Sequence, residues 1–261
     1  MNKAELINVL GTFCGKRDIP SLTQKNLYSV YGIKKVDVFV LFGGSILEGG
    51  NVLAEAIKAE IAEKYIIVGG IGHTTETLRE IFEKKFNKID TKNLTEAEIF
   101  NFYIKEMYGL QADYLECNST NCGNNITLLL ELMQINNIKC DSIILAQDAT
   151  MQYRMAATLK KYVSDRVTII NYATYQVDVI QKDDKLIYQK QPLGMWDTDR
   201  YITLLMGEIP RLSDDENGYG PRGKNFISHV DIPQEVRYAF EELKVFFSES
   251  VREANPIFAS K

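Results

Sequence analysis

Apolar positions along the chain fall into two alternating rhythms. Short continuous apolar runs, Val36-Asp37-Val38-Phe39-Val40-Leu41-Phe42, Tyr65-Ile66-Ile67-Val68, Ser142-Ile143-Ile144-Leu145-Ala146 and Val167-Thr168-Ile169-Ile170, read as strands buried on both faces. Between them the spacing is helical, at 51–64, 75–86, 95–108, 123–134 and 151–162, with a short extended piece at 114–116. Two further helices precede the first strand, one around 5–10 and one within 21–31. Strands alternating with helices of this length predict an α/β fold, a Rossmann-like parallel sheet flanked by helices.

After Asn171 the rhythm changes. Residues 175–180 and 186–190 flank the polar Lys182-Asp183-Asp184-Lys185, the pattern of a hairpin. A helix at 198–206, a segment at 207–233 dense in Gly, Pro, Asp and Arg, and an amphipathic helix at 234–253 follow. The expected organisation is a Rossmann-like domain with its N-terminal helices over 1–173. A smaller α+β C-terminal subdomain over 174–261 then forms the other wall of a cleft.

Composition narrows the function classes. No apolar run approaches the roughly 20 residues of a membrane helix, and the opening Met1-Asn2-Lys3-Ala4-Glu5-Leu6 lacks the profile of a signal peptide. The expectation is a cytoplasmic protein without a membrane partner. A formal net charge of −5 with no block of Lys or Arg gives no footprint for a nucleic-acid backbone. Cys14, Cys117, Cys122 and Cys140 form no Cys-x-x-Cys pair, which suits packed reduced thiols and predicts no structural metal. The pattern leaves the oligomeric state open.

Two strands break directly into glycine, at Gly43-Gly44-Ser45 and at Gly69-Gly70-Ile71-Gly72-His73. Glycine there permits positive φ and close approach of a ligand to backbone amides, and the following helix start favours an anionic group. The pair predicts a small polar ligand at the carboxyl end of the sheet. The plain alternative is two tight turns, since Gly70-Ile71-Gly72-His73-Thr74-Thr75 matches a dinucleotide fingerprint only partly, with Thr in the third glycine place. Ser45, Thr74 and Thr75 suit helix caps or ligand donors. His73 is placed for acid, base or donor work, whereas His229, two residues before Asp231, reads as a structural histidine.

The bend at 118–125, Asn118-Ser119-Thr120-Asn121-Cys122-Gly123-Asn124-Asn125, holds more capping residues than one helix needs. The surplus suits hydrogen bonds to a ribose, an amino acid or a base edge. Cys122 invites a nucleophile reading, without an adjacent histidine. Asp148 caps the next helix or faces the site, and Arg154 lies off its apolar stripe of Met151, Met155, Leu159 and Tyr162. Arg154 either reaches back to clamp a carboxylate or phosphate or makes a surface ion pair. The 208–224 segment fails as a calcium loop, with Ser213 at the first aspartate place and Lys224 at the terminal glutamate place, and reads as a lid or substrate wall.

Taken together, Gly69-Gly70-Ile71-Gly72-His73, Glu96-Ala97, Ser119-Thr120-Asn121-Cys122-Gly123, the run 148–154, and Gly207-Glu208-Ile209-Pro210-Arg211 through Gly218-Tyr219-Gly220-Pro221-Arg222-Gly223 to His229-Val230-Asp231 resemble the YdcF-type family of bacterial proteins of unknown function. Its wider relatives include the SanA and ElyC envelope proteins. The resemblance implies a Rossmann-like domain with a C-terminal subdomain and S-adenosylmethionine as ligand, with Glu96, Ser119, Asn121, Asp148 and Arg154 lining the crevice. The chain departs from the pattern at Asn124, where the family carries glutamate in a Glu-Asn pair.

The combined expectation is a nucleotide- or S-adenosylmethionine-binding protein, as an enzyme a transferase. The corners Gly43, Gly44, Ser45, Gly69, Gly70 and Gly72 would hold the charged end of the ligand. Ser119, Asn121 and Asn124 would bind its polar groups and Arg154 a carboxylate, with Glu96, Asp148 and His73 as acid/base candidates. A non-catalytic sensor, favoured by Asn124, and a magnesium-assisted hydrolase using Asp148, Glu96 or Asp215 are the rival readings.

Overall fold

The computed structural model describes residues 1–72, 74–86 and 89–247. Strands β1 (Val36–Phe42), β2 (Ala62–Val68), β3 (Tyr114–Glu116), β4 (Ser142–Ala146) and β5 (Thr168–Asn171) form one sheet, every neighbouring pair parallel, in the order β3-β2-β1-β4-β5. Their continuous apolar sequences follow from cover on both faces. Phe39 and Leu41 of β1 enter one core cluster while Val38, Val40 and Phe42 enter another.

The helices are α1 (Lys3–Cys14), α2 (Gln24–Tyr31), α3 (Glu48–Lys58), α4 (Thr75–Lys85), α5 (Glu96–Tyr108), α6 (Cys122–Ile135), α7 (Gln152–Tyr162), α8 (Thr198–Leu212) and α9 (Gln234–Lys244). Leu27, Leu53, Phe82 and Phe100, from α2 to α5, pack on the first face, and Ile126, Leu129, Met155 and Leu159 of α6 and α7 on the second. The chain leaves β1 over the first face and β4 over the second. The carboxyl ends of these adjacent strands therefore flank a topological switch point, where α/β sheets open a crevice.

A two-stranded hairpin, β6 (Val179–Lys182) and β7 (Lys185–Tyr188), turns through Asp183 and Asp184, both at positive φ (47° and 59°). That double left-handed geometry suits the twist of a two-residue loop. A third core joins Leu6, Ile7 and Leu10 of α1 to Tyr201, Leu205 and Ile209 of α8 and Val236, Ala239 and Leu243 of α9. The expected grouping of both N-terminal helices with residues 1–173 is thus corrected for α1, which is part of the C-terminal layer. Asn8 fixes it there, donating from Nδ2 to the Val179 carbonyl (2.9 Å) and accepting from the Val179 N–H (2.8 Å) as a strand partner would.

Three element boundaries differ from the pattern reading. The helix expected over 51–64 begins at Glu48 and stops at Lys58, because Glu60 turns the chain at φ 50° and no glycine marks the stop. The helix expected over 198–206 runs to Leu212 through Pro210, since Glu208, Ile209 and Leu212 are buried and the missing N–H falls in the last turn. The last helix ends at Lys244, and the remainder of its expected span, from 248 on, lies outside the described residues. No helix among the described residues is long and apolar enough to cross a membrane.

Candidate functional site at the carboxyl rim of the sheet

Strand register sets the four ends level: Phe42 pairs with Val68, Val68 with Glu116, and Leu41 with Ala146. A cavity of about 520 Å³ opens above this rim. Its floor is Gly43, Gly69, Gly70, Gly72, Glu96, the 119–123 bend and Gln147. Met151, Arg154, Thr158 and Tyr162 of α7 form a side wall, and Leu204, Glu208 and Arg211 of α8 with Tyr219 and 224–227 form the far wall. The volume lies within the range of small-molecule sites, about 300–1,000 Å³.

Gly43, Gly69 and Gly70 are required by the protein's own packing, whereas a Cβ on Gly72 would meet only ordinary contact at 3.4 Å. Gly43, Gly69, Gly70 and Gly72 do not adopt positive φ, which among the described glycines is confined to Gly32, Gly109 and Gly194. A Cβ on Gly70 would lie 2.2 Å from the Ser119 carbonyl oxygen, and one on Gly43 would lie 2.5 Å from Glu96 Oε2. Their amides are occupied as well. Gly43 N–H donates to Val68 O (2.7 Å), Gly69 to Glu116 O (2.9 Å), Gly70 to Ser119 Oγ (3.2 Å) and Gly72 to Thr75 Oγ1 (2.7 Å). Of the expected amide cradle for a charged ligand end, these four donors are therefore already engaged within the protein.

Glu96 opens α5, whose first N–H groups bond to the carbonyls of Gly70 (3.0 Å) and Gly69 (2.8 Å), so the carboxylate is delivered onto the rim. Its Oε1 accepts from the hydroxyls of Thr74 (2.8 Å) and Thr75 (2.9 Å). Those two threonines therefore serve Glu96; Thr74, at the N-cap of α4, makes no side-chain cap. Burial raises the Glu96 pKa above the ordinary carboxylate value, opposed by the two hydroxyls.

The polar bend is largely occupied within itself. Asn121 Oδ1 accepts from the N–H groups of Gly123 and Asn124 (3.0 Å each), and Asn124 Oδ1 accepts from those of Thr120 (3.0 Å) and Asn121 (2.9 Å), a closed capping box. Asn124 is thus the third helical residue of α6, the place where Glu or Gln ordinarily closes such a box, and it lies outside the cavity lining. Cys122 lines the cavity with its sulfur 3.8 Å from that of Met151.

Arg154 reaches the cavity wall with one edge of its guanidinium, Nε and Nη2, already filled. Nε donates to Glu208 Oε2 at 2.6 Å and Nη2 to Oε1 at 3.0 Å, and both side chains are buried. Burial opposes the guanidinium charge, but Glu208 more than offsets this and holds its pKa above the ordinary value. The clamp expected for a ligand carboxylate is therefore an internal ion pair between α7 and α8. Beside it, Arg211 Nη1 bonds to the Gly207 carbonyl and stands 4.0 Å from Glu208 Oε1, and exposed Lys224 lines the outer edge.

Three other expected site residues, Asp148, Gly44 and Ser45, are not part of the large cavity's lining. Asp148 faces away from the large cavity toward a hollow of about 10 Å³ that Gly44 also borders. It accepts from the Thr150 N–H and hydroxyl and from Tyr175 OH (3.0 Å), and burial pushes its pKa up to about 6. Ser45 is buried and accepts from Trp196 Nε1 at 2.9 Å. His73 lies outside the described residues. Among the described residues no group of three His, Cys, Asp or Glu side chains converges, and of Asp148, Glu96 and Asp215 only Glu96 lines the large cavity. His229 bonds to Asp214 (2.7 Å) and Asp231 (3.0 Å), which ties the 213–229 segment to itself.

Gln147 was not singled out by the sequence patterns, whereas Glu208, Arg211 and Lys224 entered only as part of the 208–224 segment expected as a lid or substrate wall. Gln147 carried a readable signal. In β4, Ile143 and Leu145 face α6 and α7, so the next odd position points to the cavity side and Asp148 to the opposite side. The chain matches no protein-family model.

Proposed function

We propose that the rim cavity binds an unphosphorylated, charge-bearing nucleoside of the S-adenosylmethionine class. The observation that carries this reading is the occupation of the Gly43, Gly69, Gly70 and Gly72 amides by Val68, Glu116, Ser119 and Thr75, which withdraws these four cavity-lining donors from a polyphosphate. Besides the Arg154–Glu208 pair, the charged groups of the lining are a carboxylate at the rim, Glu96, and two cationic side chains at the far wall, Arg211 and Lys224. S-adenosylmethionine fits that donor set. It carries cationic sulfonium and ammonium groups, a carboxylate and no phosphate, and its methyl sulfonium supplies methyl-transfer chemistry when bound. Apolar Leu204, Phe226 and Ile227 offer the surface a base needs. The resemblance to YdcF-type proteins supports the same ligand.

For catalysis, Glu96 is the carboxylate placed to hold or take a proton at the strand rim. The sensor reading loses its motivation, because Asn124 closes a helix cap outside the cavity lining.

Thermal unfolding tests the ligand class. S-adenosylmethionine or S-adenosylhomocysteine at about 100 times its Kd is expected to raise Tm by about 5 °C or more, while ATP and NAD leave it unchanged. A shift with ATP or NAD and none with S-adenosylmethionine or S-adenosylhomocysteine would overturn the reading. Unchanged recovery of methyl-labelled S-adenosylmethionine after incubation with cell extract would mark a binder rather than a transferase.

A further inference from the structure

We propose that Glu96 and Gln147 together read a vicinal diol of the ribose type, seated on the cavity floor beside Gly43. This assignment rests on the nucleoside reading above and names the part of the ligand that the rim recognises.

Gln147 is 1% exposed and its Nε2 has no hydrogen-bond partner among the described residues, while the side chain lines the cavity. Its orientation is forced. Oε1 accepts from the Asp148 N–H at 2.6 Å, and flipping the amide would set an NH₂ group against that N–H. The backbone is pinned too, since the Gln147 N–H donates to Gln152 Oε1 (2.9 Å) and Gln152 Nε2 donates to Asn171 Oδ1 (3.1 Å). Gln147 borders both the large cavity and the small hollow of about 10 Å³, and only the large cavity has room for the acceptor that this buried amide donor needs.

Glu96 supplies the complement. Oε1 is filled by two threonine hydroxyls, and Oε2, which no described residue bonds, lies over Gly43, 2.5 Å from where a Cβ would stand. Glu96 and Gln147 both line the large cavity, so a group on its floor meets an acceptor from the β2 side and a donor from the β4 side that have no partner among the described residues.

Few chemical groups satisfy both. A phosphate or carboxylate would satisfy Gln147 and be repelled by Glu96. An ammonium would satisfy Glu96 and leave the buried amide donor unpaired. Hydroxyls donate and accept, so one of a pair donates to the carboxylate while an oxygen of the pair accepts from the amide. A base edge also combines donor and acceptor, but the floor here is glycine and serine, and the aromatic and aliphatic lining that a base stacks on belongs to the far wall. Acidic residues at the rim of doubly wound sheets bind ribose hydroxyls in the same way, although this one arrives from the start of α5.

The test is calorimetric titration of S-adenosylhomocysteine, adenosine, 2′-deoxyadenosine, 3′-deoxyadenosine and inosine into wild type, Glu96→Gln and Gln147→Glu. Glu96→Gln keeps an oxygen for the threonines, and Gln147→Glu keeps the acceptor for Asp148 while removing the donor. On wild type, loss of one ribose hydroxyl is expected to weaken binding about tenfold or more, and inosine to bind within about twofold of adenosine, since the rim does not read the base edge. In each variant the difference between adenosine and its deoxy analogues is expected to collapse. Deoxy analogues that bind wild type as tightly as adenosine, or discrimination that follows inosine instead, would overturn the assignment. If S-adenosylhomocysteine fails to bind but adenosine binds with hydroxyl discrimination, the diol assignment stands and the S-adenosylmethionine reading falls. If none of the five binds, both fall. Should a variant unfold, the wild-type analogue series decides alone.

Discussion

Single positions at the rim carry two separable loads, and Asp148 shows the first. Burial pushes its pKa up to about 6 against the hydrogen bonds from Thr150 and Tyr175. Its folded value is raised above the unfolded one, so the folded chain binds the proton more tightly. Stability contributed by this group falls as pH rises between about 4 and 6 and stays low above. Asp148→Asn keeps the oxygen that Thr150 uses and removes the titration. In urea unfolding the variant is expected to gain on wild type by on the order of 2–3 kcal/mol between about pH 4 and pH 7; a difference that does not vary with pH would contradict this. Gly70 shows the second load, steric rather than electrostatic. Gly70→Ala places a methyl against two backbone carbonyls, those of Ser119 (2.2 Å) and Cys117 (2.7 Å), which cannot rotate away. Unfolding midpoints are expected to report a loss of about 2 kcal/mol or more. The double glycines were thus legible in the sequence as the rim of the site, yet the chain's reason for them is its own backbone crossing at the β2–β3 corner. Only coordinates reveal that crossing, because the residues it joins are 49 apart.

Between elements, the decisive contact is Arg154 to Glu208, which bolts α7 to α8 and so fixes the far wall of the cavity. Breaking one half leaves a buried charge without its partner. Arg154→Ala is expected to lower stability by about 3–5 kcal/mol, and the double replacement Arg154→Met with Glu208→Leu to recover much of it. Equal losses in the single and double variants would show that the pair is not coupled. Arginine at 154 was legible as a residue pointing off the apolar stripe, but its partner stands 54 positions away in a helix the pattern ended at 206. Proline misled there because local propensity disfavours it in a helix, whereas α8 is held by the burial of Glu208, Ile209 and Leu212. At the end of the 213–229 segment, the pairing with Asp214 and Asp231 raises the His229 pKa. Its stabilising contribution is present below the unfolded value of about 6.5 and lost as pH rises through the higher folded value. Titration of the His229 ring by NMR is expected to give a midpoint above that of a free imidazole. Asp214→Asn is expected to bring it down.

For the molecule as a whole, the parallel sheet and its order of helices followed from alternating apolar rhythms, since each strand is buried on both faces and each helix on one. The position of α1 did not follow. An amphipathic helix states which face it buries, not against what, and α1 buries Leu6, Ile7 and Leu10 against α8 and α9. The outcome is a sheet rim roofed by a layer drawn from both ends of the described chain, with a cavity between them. Ligand-induced shifts in the backbone and side-chain amide NMR spectrum on titration with S-adenosylhomocysteine test the central claim most directly. The expected result is saturable shifts centred on Gly43, Gly70, the Gln147 side-chain NH₂ and Arg211. Saturation without perturbation of those groups, or no shift at millimolar ligand, would contradict the account.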